Sequence, residues 1–176
     1  MENFNCIGGY LIKNMPMQIQ KAFGQFSSLK TQRPTALGPV KIVLDTLDKV
    51  DGEEYGLEFS GGDIKIKETG MYLIIAGPQI GKLKGDQPRW IDFWLRVNNK
   101  DVPNSNVRAV LERSSQKDVI VTQVVTRLNK GDVLSIIMSV EEIDEGLGIE
   151  AIQPVNEPAI PSIILTVLQL QWIFQE

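Results

Sequence analysis

A chain of 176 residues, 43% of them hydrophobic and 23% charged, carries enough apolar material for one folded domain and too little charge for a disordered chain. The net charge of −4 builds no positive field, which argues against nucleic acid as a partner. The chain has no histidine, so His-based general-base chemistry, Ser-His-Asp triads and cupin-type metal sites are excluded, and with Cys6 as the one cysteine no intrachain disulfide forms and zinc has no ligand set.

The opening MENFNCIGGYLIKN lacks the basic start and continuous apolar run of a secretory signal. No segment of the sequence reaches the length and apolarity of a bilayer span, so a soluble domain is expected. Residues 1–38 are mixed. Met15, Met17 and Ile19 alternate, whereas Ala22, Phe23 and Phe26 fall at helical spacing. We read these residues as an N-terminal extension that contributes a first strand, ending in the loop of Pro34, Gly38 and Pro39, and residues 39–176 as the main domain.

From residue 40 the pattern is strand throughout. VKIVLDTL (40–47) is β-branched and apolar. In LEFSGGDIKIKETG (57–70), Gly61-Gly62 reads as a turn between strands, and Ile64-Lys65-Ile66-Lys67 alternates as a strand with one wet face does. MYLIIAGPQI (71–80) is apolar on both faces, and a loop rich in Gly, Lys and Pro follows. RWIDFWLRV (89–97) puts Ile91, Phe93, Leu95 and Val97 on a core face and Trp90, Asp92, Trp94 and Arg96 on the other. Two tryptophans on a nominally wet face call for a cover, and Asp92 and Arg96 are expected to pair there. Asn98-Asn99-Lys100-Asp101 reads as a tight hairpin turn. DVIVTQVVTRL (118–128), VLSIIMSV (133–140) and SIILTVLQLQWIF (162–174) complete a set of about eight strands, with residues 147–161 a proline-bearing loop. The class expected is all-β, a two-sheet antiparallel jelly-roll sandwich.

Three of these strands do not alternate. Their second faces carry Leu73 and Ile75, Val121 and Val125, and Leu168 and Leu170. A sheet face of such residues left in water would be a large adhesive patch, and oligomerisation through it is the simplest resolution; coverage by the N-terminal segment is the alternative.

The motifs in chain order resemble the complement C-one-q globular head and tumour necrosis factor superfamily. SGGDIKIKETGMYLIIAG (60–77) is similar to its Gly-x-Tyr strand signature. LRVNNKDV (95–102) is similar to its Leu-x-Val-Asn-Gly hairpin, with Asn99 in the glycine position. TRLNKGDVLSIIMSV (126–140) is similar to its Leu-x-x-Gly-Asp-x-Leu-Ser segment, and SIILTVLQLQWI to its closing strand. The resemblance implies a jelly roll that assembles as a homotrimer, with Leu73, Ile75, Val121, Gln123 and Val125 at the threefold axis and Leu168 and Leu170 beside them. No collagen-like stalk is visible in this sequence, which points away from a complement role and toward a microbial or viral member serving as a surface or particle component.

The carboxylates divide into Asp45, Asp48, Asp51, Glu53 and Glu54, and Glu141, Glu142, Asp144 and Glu145. Either group has oxygen ligands for calcium, but neither has EF-hand spacing, and solvated acidic loops are the plainer reading. The function expected is a non-enzymatic homotrimeric binding or structural module with no cofactor. The alternatives are a carbohydrate-binding domain with Trp90 or Trp94 as the sugar platform, and a hydrolase using paired carboxylates.

Overall fold

The computed structural model describes residues 22–48 and 56–170, so Cys6, Met15, Met17, Ile19, Asp51, Glu53, Glu54 and the end of the last expected strand lie outside the described residues. The described residues contain no helix. In chain order the strands are β1 (Phe23–Ser28), β2 (Val40–Lys41), β3 (Thr46–Asp48), β4 (Leu57–Ser60), β5 (Asp63–Ile66), β6 (Gly70–Gly81) and β7 (Arg89–Val97). There follow β8 (Lys100–Asp101), β9 (Val107–Leu111), β10 (Lys117–Val119), β11 (Thr122–Leu128), β12 (Val133–Val140), β13 (Gly148–Ile149) and β14 (Ile163–Leu170). They form two antiparallel sheets. The first runs β10-β6-β14-β1-β3, with β11 and β13 also on β6; the second runs β4-β5-β12-β7-β8, with β2 on β12 and β9 on β7. This is the expected two-sheet jelly-roll sandwich.

The core lies between the sheets and follows from strand alternation. From the first sheet Tyr72, Ile74, Ala76, Leu165 and Val167 point inward, and from the second Ile64, Ile91, Phe93, Leu95 and Ile136; all are buried. Phe26 of β1 reaches across to Phe59 of β4, with ring centroids 5.2 Å apart, and so links the two sheets. The Phe26 ring leans over Gly24, where a Cβ would stand 2.9 Å from its Cζ.

Four expectations need revision, each for a physical reason. The segment 40–47 is not one strand. It leaves the second sheet after β2 and joins the first at β3, and between them Ile42 and Leu44 enter the core. At the crossing, the Gln32 side-chain amide takes the place of a neighbouring strand: it accepts from Val43 N and donates to Val43 O, both at 2.8 Å. The segment 118–128 likewise divides into β10 and β11. Both pair with β6 on one continuous register line, interrupted where Ile120 lies opposite Pro78, which has no N–H to donate to the ladder. Residues 107–111, not expected as a strand, form β9 against β7. Residues 147–161 contain the short β13 and an isolated bridge between Ile152 and Ile160.

The turns carry the left-handed residues that two-residue hairpins need. Gly61 and Gly62 join β4 to β5 with φ of 60° and 80°, and Asn98 and Asn99 join β7 to β8 with φ of 49° and 65°. Asparagine tolerates this region, so Asn99 does the work of the glycine more usual there. The Asn98 amide also bridges to the next turn, donating to Asp132 Oδ1 at 2.6 Å and accepting from Val133 N at 2.9 Å.

Tyr72 is buried, and its hydroxyl donates to the Glu68 carbonyl at 2.6 Å. Burial, and secondly the charge of Glu68, push its pKa up to about 12. Because the folded-state value lies above the ordinary one of 10.0, the associated stability is present below pH 10 and lost as pH rises toward about 12. The melting temperature is therefore expected to fall across that interval, and to fall less steeply in Tyr72→Phe; equal slopes in the two proteins would contradict the assignment.

Candidate functional site

Two surfaces, on opposite sides of the sandwich, stand out. The first is the outer face of the β6 sheet. Register places Val125 beside Leu73, Leu73 beside Leu168, and Leu168 beside Phe23, so one apolar row crosses four strands. The next row is Gln123, Ile75, Thr166 and Gln25, and Leu170 pairs with Met71 at the other side of the apolar row. Val121 adjoins the end of β11, and Val119 of β10 lies over Gly77. Val121 is 56% exposed, Val125 53% and Leu168 38%; Ile164 and Leu170 are exposed too, while Leu73 and Ile75 are half-buried. The structure thus brings the seven residues Leu73, Ile75, Val121, Gln123, Val125, Leu168 and Leu170 onto one face. Ile164 and Val119 of the same face were not singled out from sequence, although the alternation of β14 carries the signal for Ile164.

The second surface is the outer face of β7 and β9. Trp90 and Trp94 are half-buried, and arginines lie against both. The Arg108 guanidinium lies 4.2 Å from the centroid of the Trp90 ring, and that of Arg96 lies 5.9 Å from the centroid of Trp94. The expected Asp92–Arg96 pair does not form. Arg108, directly across the ladder, donates to both carboxylate oxygens of Asp92 at 2.7 Å, and Arg96 donates to its own cross-strand neighbour Asp101 at 2.7 Å. Four residues along a strand span roughly 13 Å, whereas a cross-strand neighbour is about 5 Å away. Trp94 Nε1 also donates to Asp101 Oδ1, at 2.7 Å. The hydrogen bonds from Arg96 and then Trp94 hold the Asp101 carboxyl below the usual carboxylate range. The hydrogen bond from Arg108 to Asp92 raises the pKa of Arg108 in turn. Asp92, Trp94, Asp101, Asn104, Asn106 and Ser139 border a cavity of about 260 Å³.

The acidic loops do not converge on a point. Glu141 accepts from Trp90 N, and Glu142 accepts from the backbone of Ile143 and Asp144. Glu145 pairs with buried Lys82 at 3.2 Å and with Arg89 at 2.8 Å. Burial opposes the charge on Glu145, but the hydrogen bonds from Lys82 and Arg89 prevail and lower its pKa. Asp45 and Asp48 are bonded to the strand and loop around β1. Glu150 meets both Arg33 and Lys117. Among the described residues no group of three or more acidic, cysteine or histidine side chains is placed to hold a metal ion, and no helix is long and apolar enough to cross a membrane.

The sheet order and the sandwich define a tumour necrosis factor-like jelly roll. Among solved structures the chain is similar to the crystal structure of murine APRIL at pH 5.0, with a TM-score of 0.52 over 85% of this chain and 99% of that one. Sequence identity is 12%, so the likeness is one of fold. No protein-family model matches the sequence, and no curated protein does.

Proposed function

We propose that this chain is a non-enzymatic binding or structural module that acts as a homotrimer, closed around the outer face of the β6 sheet. The observation that carries the reading is the row Val125–Leu73–Leu168 on that face, exposed at Val125 and Leu168 and half-buried at Leu73. Completing the burial of such side chains contributes up to about 1.5–3 kcal/mol each, so several together favour a permanent partner surface. A second copy of the same chain is the partner that closed symmetry supplies, and the family resembled by the sequence motifs assembles in threes. A role in a surface or particle assembly accords with a module of this kind.

The hydrolase alternative is less favoured. A glycosidase general acid needs a raised carboxyl pKa, and Asp101, at the cavity of the second sheet, is shifted downward by its arginine and tryptophan donors. Light scattering on the purified chain tests the trimer: the expected mass is about 59 kDa, three times the chain mass of 19.7 kDa. A stable species of one chain mass at micromolar concentration would overturn it.

A further inference from the structure

The cavity beside Trp94 is the feature that the proposed trimer does not use, since it lies on the other sheet. Its walls combine three properties. The Trp94 ring is fixed by its hydrogen bond to Asp101, with the Arg96 guanidinium 5.9 Å from its centroid, and it borders the cavity on one side. The two carboxylates are each held by a guanidinium, so the pairs cancel in charge: buried Asp92 has both oxygens taken by Arg108, whereas exposed Asp101 receives Arg96 and Trp94 on Oδ1 and keeps Oδ2 open. The side-chain amides of Asn104 and Asn106 and the Ser139 hydroxyl have no hydrogen-bond partner among the described residues, so both donors and acceptors remain for a ligand.

This combination selects among ligand classes. A free cation would have to compete with two arginines for the carboxylates, and an anion would meet those carboxylates directly. A neutral molecule with an apolar face and a rim of hydroxyls suits the open groups: the face stacks on the indole, and the hydroxyls donate to Asp101 and exchange hydrogen bonds with Asn104, Asn106 and Ser139. The volume of about 260 Å³ is just below the range of sites for drug-sized ligands, which suits one ring or a chain end. We propose that the cavity bordered by Trp94, Asp101, Asn104 and Asn106 is a binding site for a neutral pyranose unit of a saccharide.

The test is saturation-transfer NMR on the full chain, with the methyl glycosides of glucose, galactose, mannose and N-acetylglucosamine as probes. At least one is expected to bind, with a dissociation constant on the order of 1 mM. Trp94→Ala is expected to weaken it by about tenfold or more. Asn106 is exposed, so Asn106→Ala leaves the fold intact and is expected to weaken binding by roughly three- to tenfold through the lost hydrogen bond. Should Trp94→Ala fail to fold, Asn106→Ala alone decides. Absence of a signal from all four probes, or binding unchanged in the folded variants, overturns the proposal. Because the site and the apolar face lie on different sheets, either outcome is independent of the measured oligomeric mass.

Discussion

Replacing Val125 by Asp is expected to separate the proposed trimer into single chains without unfolding them. Val125 is 53% exposed in the single chain, so an aspartate there keeps much of its hydration and costs the monomer little. In the proposed trimer the same position would be closed off beside Leu73 and its symmetry copies, and three carboxylates would face one another across the axis. A buried, unpaired charge costs several kcal/mol, and each 1.4 kcal/mol is a factor of ten in the association constant. The light-scattering mass should therefore fall from three chain masses to one while the far-ultraviolet circular dichroism stays that of a β-sandwich. Val125→Leu, which keeps the apolar character, should retain the larger mass. A Val125→Asp protein that remains assembled would remove Val125 from the interface.

Phe26→Ala is expected to give the largest loss of stability. Phe26 is 1% exposed, is ladder-paired on both sides, to Leu165 and Leu47, and meets Phe59 of the opposite sheet. Truncating a buried phenylalanine costs about 3–5 kcal/mol, which for a domain of this size lowers the melting temperature by roughly 6–20 °C. Gly24 beneath the ring offers no side chain to fill the space. Urea unfolding of the wild type, Phe26→Leu and Phe26→Ala checks the expectation. A loss under about 1 kcal/mol in the alanine variant would mean that β1 adds little to the core.

How much of this was legible beforehand depends on the distance over which a residue's environment is set. The alternation of Ile91, Phe93 and Leu95 against Trp90 and Trp94 is a property of the strand alone, and the structure keeps it; Asp92 on the second side is buried as well, held by Arg108 from the neighbouring strand. The hairpin at Asn98-Asn99 was also local, because its left-handed backbone is one that asparagine tolerates. β9 was missed although Val107, Ala109 and Leu111 alternate with Arg108 and Val110, because Ala109 is a weak strand former and exposed Val110 blurs the contrast. The break between β2 and β3 was not legible, because the Gln32 amide that bonds Val43 comes from an earlier loop.

By itself, the sequence determined that the chain is all-β, which side of its clearly alternating strands faces the core, and that three strands have apolar second sides. Those are consequences of a two-residue side-chain period. Tertiary structure alone decided which strands lie side by side, and with that the pairing of Asp92 with Arg108, the seating of Trp94 on Asp101, and the gathering of Leu73, Val125 and Leu168 into one row. The reason is distance: ion pairs and apolar patches on a sheet form between neighbours about 5 Å apart across the ladder, and those neighbours are far apart in the chain.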